Sequence, residues 1–332
     1  MQDVAEFAGV SVQTVSRVLN ERQNVAQSTK ERVTEAIQKL NYRRNSAALT
    51  LLTQSSRVLG IVDCAVNQNS PYETIRAVER AAHESGYFIS LAHANHLGKA
   101  SVEKVIDSLL EQSVDGIIFI APHYEALTVI EELETNIPII VIAAAHDLRY
   151  PTLGLDTSLT AKYVMEHLHL LGHERIVHLA GPLDWLDANS LMENWYRAIQ
   201  SNGLEVLPTY VGDWSAQSGY ERGLQIMRES NPTAIFAAND QMALGVMTAL
   251  QENGLRIPED VSVIGIGNVK DAAYYFPSLT TVAGKFHEIG THSIEILIEQ
   301  IAGKTPESIV FEPELILRRS TGTVNRSLQH SY

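Results

Sequence analysis

From position 58 to 318 the chain alternates short apolar runs with longer amphipathic stretches, a rhythm that few folds tolerate. The runs at 58–62, 88–92, 116–121 and 139–143 have strand length and are rich in Ile and Val. Between them, 72–85, 101–112 and 125–134 repeat apolar residues every three to four positions, the period of a helix with one buried face. A strand that is apolar throughout must be covered on both sides. The pattern therefore predicts a parallel sheet with helices on each face. The segment around 153–157 crosses into a second series of the same kind. It has strands expected at 175–180, 210–212, 234–238 and 261–266 and helices at 159–171, 191–202, 216–230 and 241–253. A run at 279–283, a helix at 289–301 and strands within 309–318 complete it. The expected core is α/β, with two doubly wound parallel-sheet lobes. A ligand crevice is expected outside the carboxyl ends of the strands.

The first residues follow a different rule. Asp3-Val-Ala-Glu-Phe-Ala-Gly-Val-Ser-Val-Gln-Thr-Val-Ser-Arg-Val-Leu-Asn20 reads as two short helices around a tight turn. Val4, Ala5 and Ala8 share one face of the first. Gly9 stands where a residue tolerant of positive φ is needed, and Ser11 where an N-cap belongs. The second helix, over 12–19, turns Val15, Val18 and Leu19 inward and leaves Gln13, Thr14, Ser16 and Arg17 on its other face. Such short or fork-shaped polar side chains suit base edges in a major groove, which makes the pair a helix-turn-helix candidate. On spacing alone, an ordinary pair of packed helices accounts for it equally well. A third helix is expected over 29–40, capped by Ser28, with Val33, Ile37 and Leu40 inward. This all-α headpiece has a small core.

Charge separates the two regions. The whole chain carries a net charge of −14. Residues 1–57 hold eight Lys and Arg against five acids, a balance of +3, and the remainder stands at −17. Attraction for phosphate is concentrated at one end, and the acidic body is repelled by DNA.

The string from Asp3 to Asn20 resembles the DNA-binding headpiece of the LacI/GalR family of bacterial repressors, in which Asp-Val-Ala-x-x-Ala-Gly-Val-Ser-x-x-Thr-Val-Ser-Arg-Val-Leu-Asn is a dense signature. Only Met1 and Gln2 precede it here, where the family has a few more residues. The likeness runs on through Leu179-Ala-Gly-Pro-Leu183, Gly212-Asp-Trp-Ser-Ala-Gln-Ser-Gly219, Ala238-Asn-Asp-Gln-Met-Ala-Leu-Gly245 and Pro277-Ser-Leu-Thr-Thr-Val282, matching the lactose-repressor branch. It implies two lobes of the type I periplasmic-binding-protein kind behind the helix-turn-helix unit. It also implies a homodimer on double-stranded operator DNA and a small-molecule effector, a sugar or related metabolite, between the lobes.

The resemblance assigns roles by position. Val12, Gln13 and Arg17 would read base edges. Ser11, Thr14, Ser16, Asn20 and Asn24 would hold phosphates or position the helix. Residues 45–52 fall where the family has a hinge helix that orders on DNA, with small Ala47 and Ala48 and with Leu51 as an apolar wedge in a minor-groove step. The implied division is 1–44 headpiece, 45–57 hinge and linker, and 58–322 core, with 323–332 a short polar tail lacking a tetramer-building heptad. Lobe one takes about 58–155 and 284–314, lobe two about 156–283 and 315–322.

In the cleft, Asn239, Trp214 and Phe286 match residues that bond, stack on or wall the ligand, and Asp187 replaces a ligand-facing serine. The departures are larger. Leu191 stands where the family has an anchoring arginine, and Gly267 where it has an aspartate. Ala143 and Ile120 replace polar strand ends. Those charged groups fix sugar hydroxyls by charge-assisted bonds, each contributing on the order of 1.5–3 kcal/mol. Their loss leaves three alternatives: a less hydroxylated effector held by apolar walls with Asp187, Asn239 and Asn189 or Asn268, a sugar gripped differently, or a cleft without effector response.

Other chemistry finds little support in the sequence. No apolar run is long enough to span a membrane, and the chain enters a helix at once, which predicts no secretory signal and a cytoplasmic location. Cys64, the one cysteine, is expected to be a buried thiol. His167, His169, His173 and His178 lack a familiar metal spacing and are expected to be structural or surface residues. No cofactor motif or catalytic constellation is present, so an enzyme is not expected; a sugar-binding or transport receptor is the rival reading. If Leu51 is the wedge, Leu51→Ala weakens specific operator binding far more than nonspecific binding in a titration. Equal losses on both would remove the wedge role.

Overall fold

The structure is a computed structural model that describes residues 1–19, 25–42, 55–64, 72–94, 99–120, 123–144 and 148–324. Asn20, Asn24, Ala47, Ala48 and Leu51 lie outside the described residues. The chain divides into two units, Met1–Ser56 and Arg57–Tyr332.

The first unit contains helices α1 (Gln2–Ala8), α2 (Val12–Leu19) and α3 (Gln27–Lys39). Gly9 closes α1 in the left-handed region, at φ 62° and ψ 42°. Ser11 opens α2, its Oγ accepting from the Thr14 amide at 3.1 Å. Val4, Ala5, Ala8, Val15, Val33 and Ala36 are fully or almost fully buried together, with Val18, Leu19 and Ile37 packed at their edge. Two expectations for α3 are corrected. The helix begins before Ser28, at Gln27, so its N-cap is Ala26 and Ser28 lies in the first turn. Leu40 is the C-cap residue and is 41% exposed; Ala36 takes the inward place.

In the second unit, the first lobe runs β1 (Val58–Asp63), α4 (Tyr72–Glu84), β2 (Phe88–His93), α5 (Lys99–Glu111), β3 (Gly116–Ile120), α6 (Tyr124–Glu132), β4 (Ile139–Ile142) and β5 (Thr152–Leu155). The second runs α7 (Thr157–Leu170), β6 (Ile176–Ala180), α8 (Leu186–Ser201), β7 (Tyr210–Val211), α9 (Ala216–Glu229), β8 (Ala234–Ala237), α10 (Asp240–Glu252), β9 (Ser262–Gly267) and β10 (Thr280–Ala283). The chain then returns through α11 (Phe286–Ile301) and β11 (Ile309–Phe311) to β12 (Leu315–Ile316). One sheet has the order β11-β5-β4-β3-β1-β2, all parallel. The other is β12-β10-β9-β8-β6-β7, parallel except for β12 against β10. Residues 152–155, read as a crossing, form a strand paired with β4 and β11 before the chain leaves the sheet. Helix α8 starts at Leu186, earlier than the expected 191, because its first turn mixes polar and apolar residues.

Alternation explains why β1 and β3 are apolar throughout, whereas the edge strand β2 leaves Phe88 and Leu91 exposed, contrary to the expected cover on both faces. Val62, Ile117 and Phe119 enter the core on one face of the first sheet, and Leu59, Ile61 and Ile118 the core on the other. Cys64 is fully buried, and burial beside Asp63 pushes its thiol up to about 12, which keeps it protonated and unreactive. No helix among the described residues is long and apolar enough to cross a membrane.

Three of the histidines are engaged by the fold, and His169 is exposed on α7. His167 bonds Thr321, and His173 bonds Thr233 and the Gly322 carbonyl, so both fasten the chain end to the second lobe. His178 is buried against Phe236 and Trp195, with ring centroids 4.9 and 5.8 Å away. Its Nδ1–H donates to the Phe236 carbonyl at 2.9 Å, and its Nε2 has no partner among the described residues. Desolvation lowers its pKa from 6.5 to about 4. The folded state thus holds His178 neutral, while the unfolded chain takes up a proton below pH 6.5. Its contribution to stability is intact above that pH and declines as pH falls toward 4. The difference amounts to about 3 kcal/mol at the acid end. His178→Leu is expected to flatten the loss of stability between pH 6.5 and 4 in urea titrations. An unchanged acid slope would refute this role.

Candidate functional site

Two surfaces gather the residues singled out by sequence. The first is the outer face of α2. Ser11, Val12, Gln13 and Arg17 are exposed, while Thr14 and Ser16 are half-buried. Ser11 Oγ lies 2.9 Å from Thr14 Oγ1, so these hydroxyls order the helix start as well as presenting polar atoms. The apolar side of the same helix is consumed by Val15 packing inward. What remains outward is one cation, one amide and small polar groups on a rigid rod, which is the equipment for groove readout.

The second surface is a cavity of about 250 Å³ between the two sheets, at the carboxyl ends of their strands. All six sequence-selected cleft residues line it: Asp187, Leu191, Trp214, Asn239, Gly267 and Phe286. Asp187 and Leu191 are one helical turn apart on α8, so they share a face. Ile142 and Leu153 of the first lobe, Ile266 of the second and Ile289 of α11 add apolar wall. Ile120 and Ala143, the replaced strand ends, also border it.

Polar groups around the cavity are largely spoken for. Asn239 is the N-cap of α10: its Oδ1 accepts from the Met242 amide at 2.8 Å, and its Nδ2 donates to the Trp214 carbonyl at 2.9 Å. Trp214 is held at φ 72° with its ring edge-on to Trp185 at 5.8 Å. Its indole Nε1–H is buried without a partner among the described residues. Asn189 gives its amide to the Tyr124 hydroxyl at 2.7 Å, and Asn268 accepts from Arg318 at 2.6 Å. Neither lines the cavity. Thr74, Thr157 and Thr160 do, and sequence reasoning did not single them out. A threonine near a helix start carries no distinctive signal, although Asp156-Thr157 sits where a strand end feeds α7.

Asp187 differs from these. Cavity solvent reaches it, yet protein encloses it, and that desolvation raises its pKa. The Ala144 amide donates to its Oδ1 at 2.6 Å and pulls the pKa the other way. Ala144 belongs to the first lobe and Asp187 to the second, so this bond closes one end of the cleft. The Tyr124 amide, donating to the Asp184 carbonyl at 3.0 Å, and a bridge between His123 and Trp185 join the same rims.

Gly267 is shaped by its backbone, at φ +129°. Beneath it Asp240, fully buried, accepts from Thr281 Oγ1 at 2.5 Å and from the Val269 amide at 2.9 Å. Burial raises the Asp240 pKa, and these bonds with nearby Arg318 and Asn268 oppose the shift. Asp240 is thus a structural anchor of the loop that carries Gly267.

Comparison with known proteins matches both parts of the chain. Residues 1–45 match bacterial regulatory proteins of the lacI family, and residues 165–321 match a periplasmic binding protein-like domain. The chain is 32% identical over 324 residues to the lactose operon repressor of Escherichia coli (strain K12), covering 97% of this chain and 90% of that protein. It is 34% identical over 337 residues to the HTH-type transcriptional repressor PurR of Pasteurella multocida (strain Pm70), covering 96% and 98%. The lac repressor dimer bound to operator and the anti-inducer ONPF aligns with a TM-score of 0.88 at 33% identity, over 96% of this chain and 98% of that one. A transcriptional regulator CelR–cellobiose complex aligns with a TM-score of 0.72 at 26% identity, over 96% and 98%. The fold is a helix-turn-helix unit plus two lobes of the type I periplasmic-binding-protein kind.

The geometry at Gly267 yields a test. An aspartate there would have to adopt a φ that L-residues avoid, with its Cβ 3.4 Å from the Asp240 carboxylate. Gly267→Asp is expected to cost about 1–3 kcal/mol, seen as a fall of several degrees in Tm. Gly267→Ala, which adds the strain without the charge, accounts for part of the loss. A Tm unchanged in both variants would show that the backbone is not the reason for glycine.

Proposed function

Because the chain belongs to the lacI family of bacterial regulatory proteins, we propose that it represses transcription as a homodimer on a palindromic operator and that a small molecule in the interlobe cleft regulates it. The observation that carries this reading is the joining, in one chain, of an outward polar face on α2 and an enclosed cavity at the strand ends of a two-lobed core. Gln13 and Arg17, with Val12, read base edges. Ser11, Thr14, Ser16, Asn20 and Asn24 position the helix on phosphate. Residues 45–57 link headpiece to core, and Leu51 wedges the minor groove. A two-fold protein matches a two-fold site. The protein works in the cytoplasm and catalyses no reaction.

Regulation needs a ligand that discriminates between two arrangements of the lobes. The bonds across the cleft rim, at Asp187–Ala144 and Tyr124–Asp184, are contacts that such a ligand can favour or break. Closure changes the spacing of the first lobes across the dimer and with it the order of the hinge pair. A sugar effector and genes of carbohydrate metabolism follow from the lactose operon repressor and the CelR–cellobiose complex. The apolar cavity favours a less hydroxylated ligand.

A gel shift with the full chain on a palindromic fragment, run across a salt series, tests the DNA reading. Gln13→Ala and Arg17→Ala are each expected to cost about 1–3 kcal/mol of discrimination against the wrong base, leaving the nonspecific band little changed. Absence of any sequence-specific shift would overturn the reading.

A further inference from the structure

If the cleft holds the effector, as proposed above, its walls narrow which molecule that is. Among the described lining residues Asp187 is the one ionisable side chain, and no Lys, Arg or His faces the cavity. A phosphate or carboxylate ligand would be stripped of water there with no counter-charge and with a carboxylate for a neighbour. Polyols meet a different obstacle. Thr157 Oγ1 is bonded to Ser190 Oγ at 2.8 Å and accepts from Asn194 Nδ2 at 2.9 Å. Thr160 Oγ1 donates to the Asp156 carbonyl at 2.7 Å. Asn239 is fixed by its bonds to Met242 and Trp214, which leave it one N–H for a ligand. Several ligand hydroxyls would compete with bonds that the fold already uses, or go unpaired.

Two groups are exceptions: the Trp214 indole Nε1–H, a donor that an ammonium cannot use, and Asp187. The Asp187 Oδ1 takes the Ala144 amide, and its Oδ2 has no partner among the described residues. Asp187 is exposed to the cavity solvent, and a carboxylate set beside apolar walls is favoured by a cation that joins it. Around it, Leu191, Trp214, Phe286, Ile142 and Ile266 offer aliphatic and aromatic surface to an apolar body. The volume of about 250 Å³ fits a small one. An engineered apolar cavity of roughly 150 Å³ admits benzene, so this one has room for a ring with a short side chain.

We propose that the cleft recognises a small apolar molecule bearing one protonated amine, with the ammonium on the free oxygen of Asp187 and the body against Leu191, Trp214 and Phe286. The carboxylate is also the group that ties the second lobe to Ala144 of the first. An amine bound to it therefore acts at the junction between the lobes, where occupancy changes how tightly the cleft is closed.

A charge series at constant shape tests this with the full chain: phenethylamine, phenylethanol and phenylacetate, followed by thermal shift and calorimetry, with a hexose as the polyol control. The amine is expected to bind about tenfold tighter than the alcohol, the gap between a charge-assisted and a neutral hydrogen bond. Phenylacetate and the hexose are expected to give no stabilisation. Asp187→Asn keeps the size and the acceptor for Ala144, and should bring the amine down to the level of the alcohol while alcohol binding persists. No stabilisation by the amine, equal binding of amine and alcohol, binding of phenylacetate, or preference for the hexose would each overturn the amine class. A gel shift on the same preparations separates the two proposals. A surviving sequence-specific shift leaves the repressor reading standing when the ligand class fails, and an absent shift removes that reading even where the amine binds.

Discussion

A parallel sheet covered on both faces has no side chain to spare for a ligand except at the ends of its strands. The first sheet is in that condition, with alternate residues of β1, β3 and β4 committed to cores on opposite sides. Chemistry is therefore confined to the residues just past each strand: Ala143 after β4, Asn239 after β8, Gly267 at the end of β9, and Gly284 with Phe286 after β10. Because both sheets turn these ends to one cavity, a few positions decide what it accepts. The rest of the core can stay apolar and generic.

Those positions differ in how they are fixed. At Leu191 the departure from the family's arginine is a change of side chain on an unaltered helix face. At Gly267 it is written into the backbone, since the loop below is held by Asp240, Thr281 and Val269 in a form that disfavours an L-residue. Asn239 retains the family's residue while its amide serves as a helix cap and a tie to Trp214. The cavity has thus lost its directional partners by three routes, of which the side chain at 191 is the easiest to reverse.

Much of this was legible in the sequence. The strands and helices of the core followed from period, because strands buried on both faces and helices with one wet face leave different marks. The cleft residues came from position in a resemblance, and the structure brings all six to one cavity. What stayed hidden was bonding. Nothing in the string Ala238-Asn-Asp-Gln tells that the amide of Asn239 is engaged, or that Asp240 holds a loop 29 residues downstream. The early start of α8 was missed because Trp185-Leu186-Asp187-Ala188 shows no clear period. That start is what places Asp187 one turn before Leu191 on the same face. Leu40 and Ser28 failed for a simpler reason: spacing indicates a face, and the ends of a helix are set by caps.

Asp187 then takes on a meaning that position alone did not give it. By the resemblance, a serine would stand there, a neutral group, with an arginine at 191. With leucine at 191, an acid at 187 has no cation beside it among the described lining residues, and the Ala144 amide supplies one hydrogen bond without charge. The two substitutions are coupled, because the arginine that would neutralise the carboxylate is the one that is missing. A pocket that lacks both the arginine and the aspartate of the resemblance, and carries Asp187 instead, is left with one acid and no cation among its described lining residues. The selection it then exerts is for positive charge carried on an apolar frame, in place of hydroxyls arrayed on a ring.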